Sequence, residues 1–530
     1  KIYNFRYYEN FFVIILFLVY FLIGSQIFTD YGFYVDEKFH RANGFYWLNY
    51  LSNFFGFIDL SQISQLKLKE IEAFTLPNID NWNLYGVIFD VPAAYLEIIL
   101  NIKNPIDYYQ MRHFLVFIFF FFGAIFFYLI LKNRFNNKIV SIIGVTLFIL
   151  TPRIFGDSFW NNKDIIFLTF FTISLFFYFK LIDNPSIKNI ILLALFSAIG
   201  TTMRFAGIFL PITLIFLYII DKISRRDELH LKTILICYFS FFFFLFIFWP
   251  NVWSNLPAAI FSSLNLDMSW KGNVNFLGKY YFSGNLPYYY LFFWIIISTP
   301  LIHLILFIFG FYNYIKRLIL RYFTIKQNSI YNDLWRSSNE KKDFLIFINL
   351  TFFVIVLSFL NIHLYNSWRL AYFLYIFIIY FAAFGVFLLT IKFKKKLVQL
   401  TIIFGMLIIF LIYRIALYHP YQSLYFNILI PPSIKNNVDV DYTGLSAFHF
   451  LKEIIDQEKN DKHIKIGVAS WYPLWRMVDL LNNEEKNKIT ILANDEKNQA
   501  KYLYSNRIYD IDKKYYKKYD IPSNFKKFKE

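Results

Sequence analysis

The chain has 530 residues, is 58% hydrophobic and 23% aromatic with only 17% charged residues, and carries 70 Phe against 18 Gly. No water-soluble domain of this size needs so much apolar side chain, so the composition excludes a purely soluble enzyme and makes lipid the solvent for most of the chain. The net charge of +17 does not point to nucleic acid, because the basic residues fall between apolar runs and in the last hundred residues rather than on one face interleaved with aromatics.

The apolar runs have the ~20 residues needed to cross about 30 Å of hydrocarbon. Crossings are predicted at 11–28, 113–131, 138–151, 164–181, 189–203, 205–220, 233–249, 289–310, 344–360, 370–390 and 397–417. The first run, Phe11 to Phe28, has no small-residue cleavage site after it and reads as a retained helix. Lys132, Arg134 and Lys138, then Lys180 and Lys188, then Lys222, Arg225, Arg226 and Lys232, then Lys316, Arg317, Arg321 and Lys326, and finally Lys392 and Lys394 to Lys396 collect in one set of loops. Positive charge stays inside, so those loops are expected in the cytoplasm, and 29–112, 151–163, 250–288, 361–369 and the tail on the outer face.

In the first outer loop, Phe45 to Phe57 and Val91 to Ile102 read as amphipathic stretches suited to the membrane interface. In the tail, Leu445 to Gln457 reads as an amphipathic helix, and His463 to Ala469 and Lys488 to Leu492 as strands. The expected fold is therefore an all-α polytopic membrane bundle, residues 1–417 with outer loops 29–112, 151–164 and 250–288, followed by a small extracytoplasmic α/β domain, 418–530. The single cysteine, Cys237, leaves no intrachain disulfide and no multi-cysteine metal site.

The residues able to do chemistry gather in the outer segments. YVDEKFHRANG places Asp36, Glu37 and His40 just past the first helix, where a carboxylate pair serves as a general base or cation ligand, or simply as a solvated loop start. TPRIFGDSFWNNKD (151–164) packs Arg153, Asp157, Lys163 and Asp164 beside Asn161 and Asn162; Asp164 begins a helix, where an acid also favours the positive end of the dipole. Arg204, in TTMRFAG, and Arg369, in NSWRLAYFLY with Tyr372 after it, present the planar fork that matches phosphate, although arginines at helix ends also snorkel to headgroups. The Trp-, Tyr- and Asn-rich loop 250–288 suits sugar rings and an interfacial belt equally. YHPYQSLYFN (418–427) contains His419, one His where a metal site would need more ligands. No P-loop, GxGxxG, HExxH or GxSxG stands in its required context, and the helix middles are almost free of charge, which disfavours ATP-driven or ion-coupled transport.

Together, the Asp-Glu pair after the first helix, the PRIFGxxFxNxKD loop, the basic residue near the fifth helix, the late Arg followed by aromatics, HPYQSLYFN and DYTGLS (441–446) resemble the GT-C superfamily of glycosyltransferases. The resemblance covers roughly residues 1–470 and is nearest to the family 39-like branch of protein mannosyltransferases and aminoarabinose transferases. Asp157, where His or another residue is expected, and Thr443, where Trp is usual, depart from the pattern.

The resemblance implies sugar transfer from a polyprenyl-phosphate donor to a protein, lipid or glycan acceptor outside the bacterial plasma membrane, without nucleic acid as partner. It makes Asp36 the catalytic carboxylate with Glu37 assisting, and Asp164 the acid near the donor or a divalent cation, with Asp36 the other candidate ligand. Arg204 and Arg369 become the candidates for the lipid phosphate, with His40, Arg153, Lys163, Tyr372 and His419 around the substrates. No cofactor is certain. The competing reading is a lipid or polysaccharide flippase without catalysis.

Overall fold

The computed structural model describes residues 2–72, 86–224, 229–253, 257, 272–323, 334–360, 362–459, 463–509 and 516–526. The basic residues Arg225, Arg226 and Lys326 and most of the 254–271 stretch, including Trp270, lie outside the described residues.

Helix α1 (Ile2–Ile27) crosses first; α2 (Glu37–Phe55), α3 (Ile58–Glu72) and α4 (Asp90–Ile99) belong to the 29–112 loop that follows it. The bundle continues with α5 (Pro105–Phe135), α6 (Lys138–Ile149), the short α7 (Pro152–Asp157), α8 (Asp164–Asp183), α9 (Ile187–Met203), α10 (Phe209–Ile223) and α11 (Leu231–Phe248). Then follow α12 (Tyr290–Ser298), α13 (Leu301–Phe323), α14 (Ser338–Phe359), α15 (Leu374–Lys392) and α16 (Leu397–Leu417). Among the described residues, nine helices are long and apolar enough to cross a membrane, and the shorter apolar α6 and α9 stand at two further predicted positions.

Burial sorts these helices. The sides of α1 and α16 expose Phe12, Leu18 and Leu22, and Val398, Ile402 and Ile409, as surfaces bathed in lipid do. By contrast α8 and α15 are buried over most of their length and form the centre. Small residues set one close crossing there: a Cβ on Gly310 would meet the Phe381 carbonyl at 1.9 Å, and one on Gly385 would meet the Leu306 carbonyl at 2.6 Å.

The eighth predicted crossing, 289–310, is where the sequence reading needs correction. The chain breaks between α12 and α13 at Pro300, and the crossing helix is Leu301–Phe323. Proline has no N–H to donate, so the carbonyls before it need other partners. Asn427 supplies them: its side-chain amide donates to the carbonyls of Ile296 at 2.6 Å and Thr299 at 3.3 Å, while its backbone N–H donates to Ile297 at 2.9 Å. Asn427→Leu is therefore expected to cost about 1–3 kcal/mol by leaving buried carbonyls unpaired. A thermal midpoint in lipid nanodiscs equal to that of the unaltered protein would reject this role.

At the end of the bundle away from α2, Asp343 is fully buried and accepts from Arg134 at 2.6 and 2.7 Å, from the Tyr380 hydroxyl at 2.7 Å and from Arg317 at 3.0 Å. Lys342 pairs with Asp183 at 2.6 Å in the same region. These pairs tie α5, α8, α13, α14 and α15 together where the basic loops begin.

The tail forms a parallel sheet of β3 (Ile464–Val468) flanked by β4 (Ile489–Ile491) and β5 (Tyr502–Tyr504), with α17 (Ser446–Gln457) packed against it. The helix and the first two strands match the alternation in the sequence, whereas β5 and the hairpin β1 (Asn273–Phe276) and β2 (Lys279–Phe282) were hidden by their shortness. The sheet's apolar core takes in Phe33, Tyr108 and Tyr109 from the membrane module, so the two parts share packing. Docking also fixes the start of the 29–112 loop. Val35 N–H donates to the Thr443 carbonyl at 3.2 Å, and Gly32 approaches so closely that a Cβ there would lie 2.0 Å from the Leu445 carbonyl. Asp441 holds the turn that presents those carbonyls, accepting from Leu445 N at 2.9 Å, Ser446 N at 3.1 Å and the Ser446 hydroxyl at 2.6 Å.

Candidate active site

Asp36 stands at the N-terminal boundary of α2 and is exposed, and among the described residues no hydrogen bond or ion pair reaches its carboxylate. Its neighbour Glu37 is in the opposite situation. One Glu37 oxygen accepts from the Tyr34 backbone N–H at 3.0 Å and lies 3.0 Å from His113 Nε2, with the side chain buried. The adjacent carboxylates thus differ in access: Asp36 is open at the surface, whereas Glu37 fastens the loop to α5.

His40, also buried, lies 3.4 Å from Asp90 at the start of α4. Asp90 accepts from Asn43 at 2.7 Å and from Asn162 at 3.5 Å, and Asn162 accepts from the Tyr34 hydroxyl at 2.8 Å. This chain of bonds links the 29–112 loop to the 151–164 turn. A second buried set anchors α2 from behind, where Arg41 donates to Glu97 at 2.6 and 3.1 Å and Arg112 pairs with the same carboxylate at 3.4 Å.

Near Asp36, whose charge acts on Lys163 and Arg369, stands a basic group assembled from three distant stretches. Asp164 accepts from Arg204 Nε at 3.0 Å and from its Nη2, and its other oxygen lies 3.3 Å from Arg369 Nε. One buried acid therefore aligns two guanidiniums, the phosphate-matching groups singled out in the sequence. Asp164 does not cap its helix with its side chain. Asn161 does so, accepting from the N–H groups of Asp164 at 3.0 Å and Lys163 at 3.4 Å.

Lys163 precedes this acid, and burial, reinforced by Arg204, holds its ammonium well below the usual lysine range. The charge of Asp36 acts on both Lys163 and Arg369, so the exposed carboxylate and the basic group share one region. Arg369 is presented by a turn in which Asn366 and Ser367 both adopt left-handed backbone, with φ of 54° and 63°. Trp368 pins that turn to α12 through a 2.8 Å bond to the Ser298 hydroxyl.

Two other predicted site residues, Arg153 and Tyr372, sit further in. Arg153 is buried, donates to the Tyr425 carbonyl at 3.0 Å and lies over the rings of Trp294 and Phe426. Tyr372 is buried close enough to Arg153 and Asp157 to feel their charges. His419 lies 2.9 Å from Asp30 and 3.1 Å from the Gln422 amide, so it joins the end of α1 to the start of the tail. Asn161 and Asn162 were singled out beside Asp164 in the sequence, whereas Asp90 and Tyr34 escaped it. The acid in VIFDVPAA at a helix start was the signal for Asp90; nothing local marks Tyr34.

A cation fits this donor set poorly. Both Asp164 oxygens are engaged by arginine and amide groups, and among the described residues no three of His, Cys, Asp and Glu converge.

Asp157 accepts from Asn161 at 3.1 Å through one oxygen, while its other oxygen is buried without a hydrogen bond. Burial pushes its carboxyl up to about 7. A raised folded-state value means that the ionised form is penalised, so its stability contribution is present below the ordinary value near 4 and is lost as pH rises toward 7. Asp157→Asn is accordingly expected to raise the thermal midpoint at pH 8 and to leave it unchanged near pH 4. A gain of equal size at both pH values would show that ionisation is not the cause.

Fold and site together define a polytopic helical membrane protein with an exposed carboxylate whose charge reaches one of a pair of acid-aligned arginines. Residues 107–253 match the sequence pattern of the dolichyl-phosphate-mannose-protein mannosyltransferase family. No protein of curated function matches the chain in sequence. Among solved structures the chain is similar to ArnT from Cupriavidus metallidurans in the apo state, at a TM-score of 0.48 and 9% identity over 90% of this chain and 85% of that one. It is also similar to the same protein bound to undecaprenyl phosphate, at a TM-score of 0.43 and 9% identity with the same coverage.

Proposed function

We propose that the protein transfers a sugar from a polyprenyl-phosphate donor to an acceptor at the outer face of the bacterial plasma membrane, with Asp36 as general base. The observation that carries this reading is the pairing of an exposed, unengaged carboxylate with Arg204 and Arg369, held side by side by Asp164. The family description, which names a lipid-phosphate-linked mannose, supports the donor class. The clustering of basic loops at the opposite end of the bundle supports the outward orientation.

In the proposed reaction the acceptor hydroxyl attacks the anomeric carbon as the bond from that carbon to the phosphate oxygen breaks. Asp36 takes the hydroxyl proton, and the lipid phosphate leaves with the bonding electrons and one more negative charge. Arg204 and Arg369 stabilise that growing charge, and Asp164 keeps their guanidiniums aligned before the reaction. Lys163 borders the donor phosphate, Arg153, Tyr372, His40 and His419 brace the walls of the site through their buried or tail-joining contacts, and Glu37 holds Asp36 in place rather than sharing its proton. The two parts of the chain, 1–417 and 418–530, act together because the tail sets the position of the loop that carries Asp36.

The test is transfer of radiolabelled sugar from polyprenyl-phosphate donors by purified protein in lipid. Transfer supports the enzyme. Tight donor binding with no transfer from any donor would replace it with a flippase.

A further inference from the structure

Beside Asp36 the tail carries an aromatic surface that the steps above do not use. The segment SWYPLW (470–475) follows β3, and its two indoles, Trp471 and Trp475, are 41% and 40% exposed, whereas Trp294 and Trp368 are 1% exposed. The backbone that presents them is fixed, since Trp471 N–H donates to the Ile508 carbonyl at 3.1 Å and Pro473 stiffens the turn between them.

Two connections place these rings at the candidate active site. Arg476 lies against Trp475, 5.5 Å from the ring centre, and donates at 3.2 Å to the carbonyl of Val35, the residue before Asp36. Trp471 lies 6.3 Å from the ring of Tyr442, and Asp36 is near enough to Tyr442 and Tyr472 for its charge to act on both phenols. The surroundings are also unlike those of the lipid-facing aromatics. Those stand among exposed Ile, Leu and Val on long helices, whereas the two indoles stand on the α/β domain with Arg476 and Asp479 beside them.

Half-exposed indoles with charged groups at their edge match a pyranose, which has a face of C–H bonds to lay on an aromatic ring and hydroxyls around its rim. We propose that Trp471 and Trp475, with Tyr442 between Trp471 and Asp36, form the acceptor subsite, and that the acceptor is a saccharide. This rests on the transfer reaction proposed above. A sugar ring stacked there presents a hydroxyl toward the carboxylate that deprotonates it.

Saturation-transfer NMR on the full chain in nanodiscs tests the subsite without requiring turnover. The probes are neutral hexose and N-acetylhexosamine trisaccharides, the same trisaccharides carried on a lipid as competitors, and a Ser/Thr-rich peptide. The expected result is saturation of ring C–H protons of at least one trisaccharide. Affinity should be preserved in Trp471→Phe and weakened about tenfold in Trp471→Ala and in Trp475→Ala. Stronger competition by the lipid-borne form would identify the source as a glycolipid, and equal competition a free glycan. Asp36→Asn is expected to bind the trisaccharide undiminished while its transfer falls by about 10²–10⁴, so loss of transfer and loss of binding separate the two proposals. No saturation of any saccharide, an undiminished signal in the Trp471→Ala/Trp475→Ala double variant, or saturation of the peptide alone would overturn the subsite.

Discussion

Asp36→Asn is expected to lower sugar transfer by a factor of about 10²–10⁴ while leaving donor affinity within about twofold of the unaltered protein. The amide keeps the size and most of the polarity of the carboxylate but cannot take a proton at neutral pH. Because the Asp36 carboxylate makes no hydrogen bond or ion pair among the described residues, the substitution breaks no side-chain contact, and the thermal midpoint should not move. Glu37→Gln provides the contrast. Its carboxylate is buried against His113 and the Tyr34 N–H, so that variant should lose stability as well as rate. Transfer measured with radiolabelled donor, alongside thermal unfolding of both variants in nanodiscs, decides the matter. Unchanged transfer in Asp36→Asn would remove Asp36 as the base.

The second large effect is expected at Asp164. Its side chain is 3% exposed and is engaged by Arg204 and Arg369, whose side chains are 19% and 10% exposed. Removing the acid leaves two guanidiniums close together with no shared counter-charge, so Asp164→Ala should destabilise the protein by about 3–5 kcal/mol. The double variant Asp164→Asn/Arg204→Gln restores the charge balance and should regain part of that loss. Donor affinity gives an independent readout, because Arg369→Gln should raise the KM for a polyprenyl-phosphate sugar while barely changing that for the acceptor. If Asp164→Ala melted at the same temperature as the unaltered protein, the acid could not be what holds the arginines together.

The sequence by itself determined the solvent and the outline. Runs of apolar residues that match the thickness of hydrocarbon leave a helix no alternative, since every backbone polar group must be satisfied within the segment. This is why α5, α8, α15 and α16 lie where hydropathy places them. The same local logic recovered α17, β3 and β4, whose alternation shows within a few residues. It also gathered Asp36, Asp164, Arg204 and Arg369 as candidates, because charge beside an apolar run is visible one residue at a time.

What only the tertiary structure decided is how these groups are paired. Nothing near Glu37 in sequence announces His113, and nothing near Asp164 announces arginines from α9's end and from the turn before α15. The break at Pro300 was likewise invisible as a stable feature until Asn427 appeared beside its free carbonyls. Hydrophobic length is a one-dimensional property that lipid reads directly, whereas the roles of neighbouring acids such as Asp36 and Glu37 depend on which residues the folded chain brings to each oxygen.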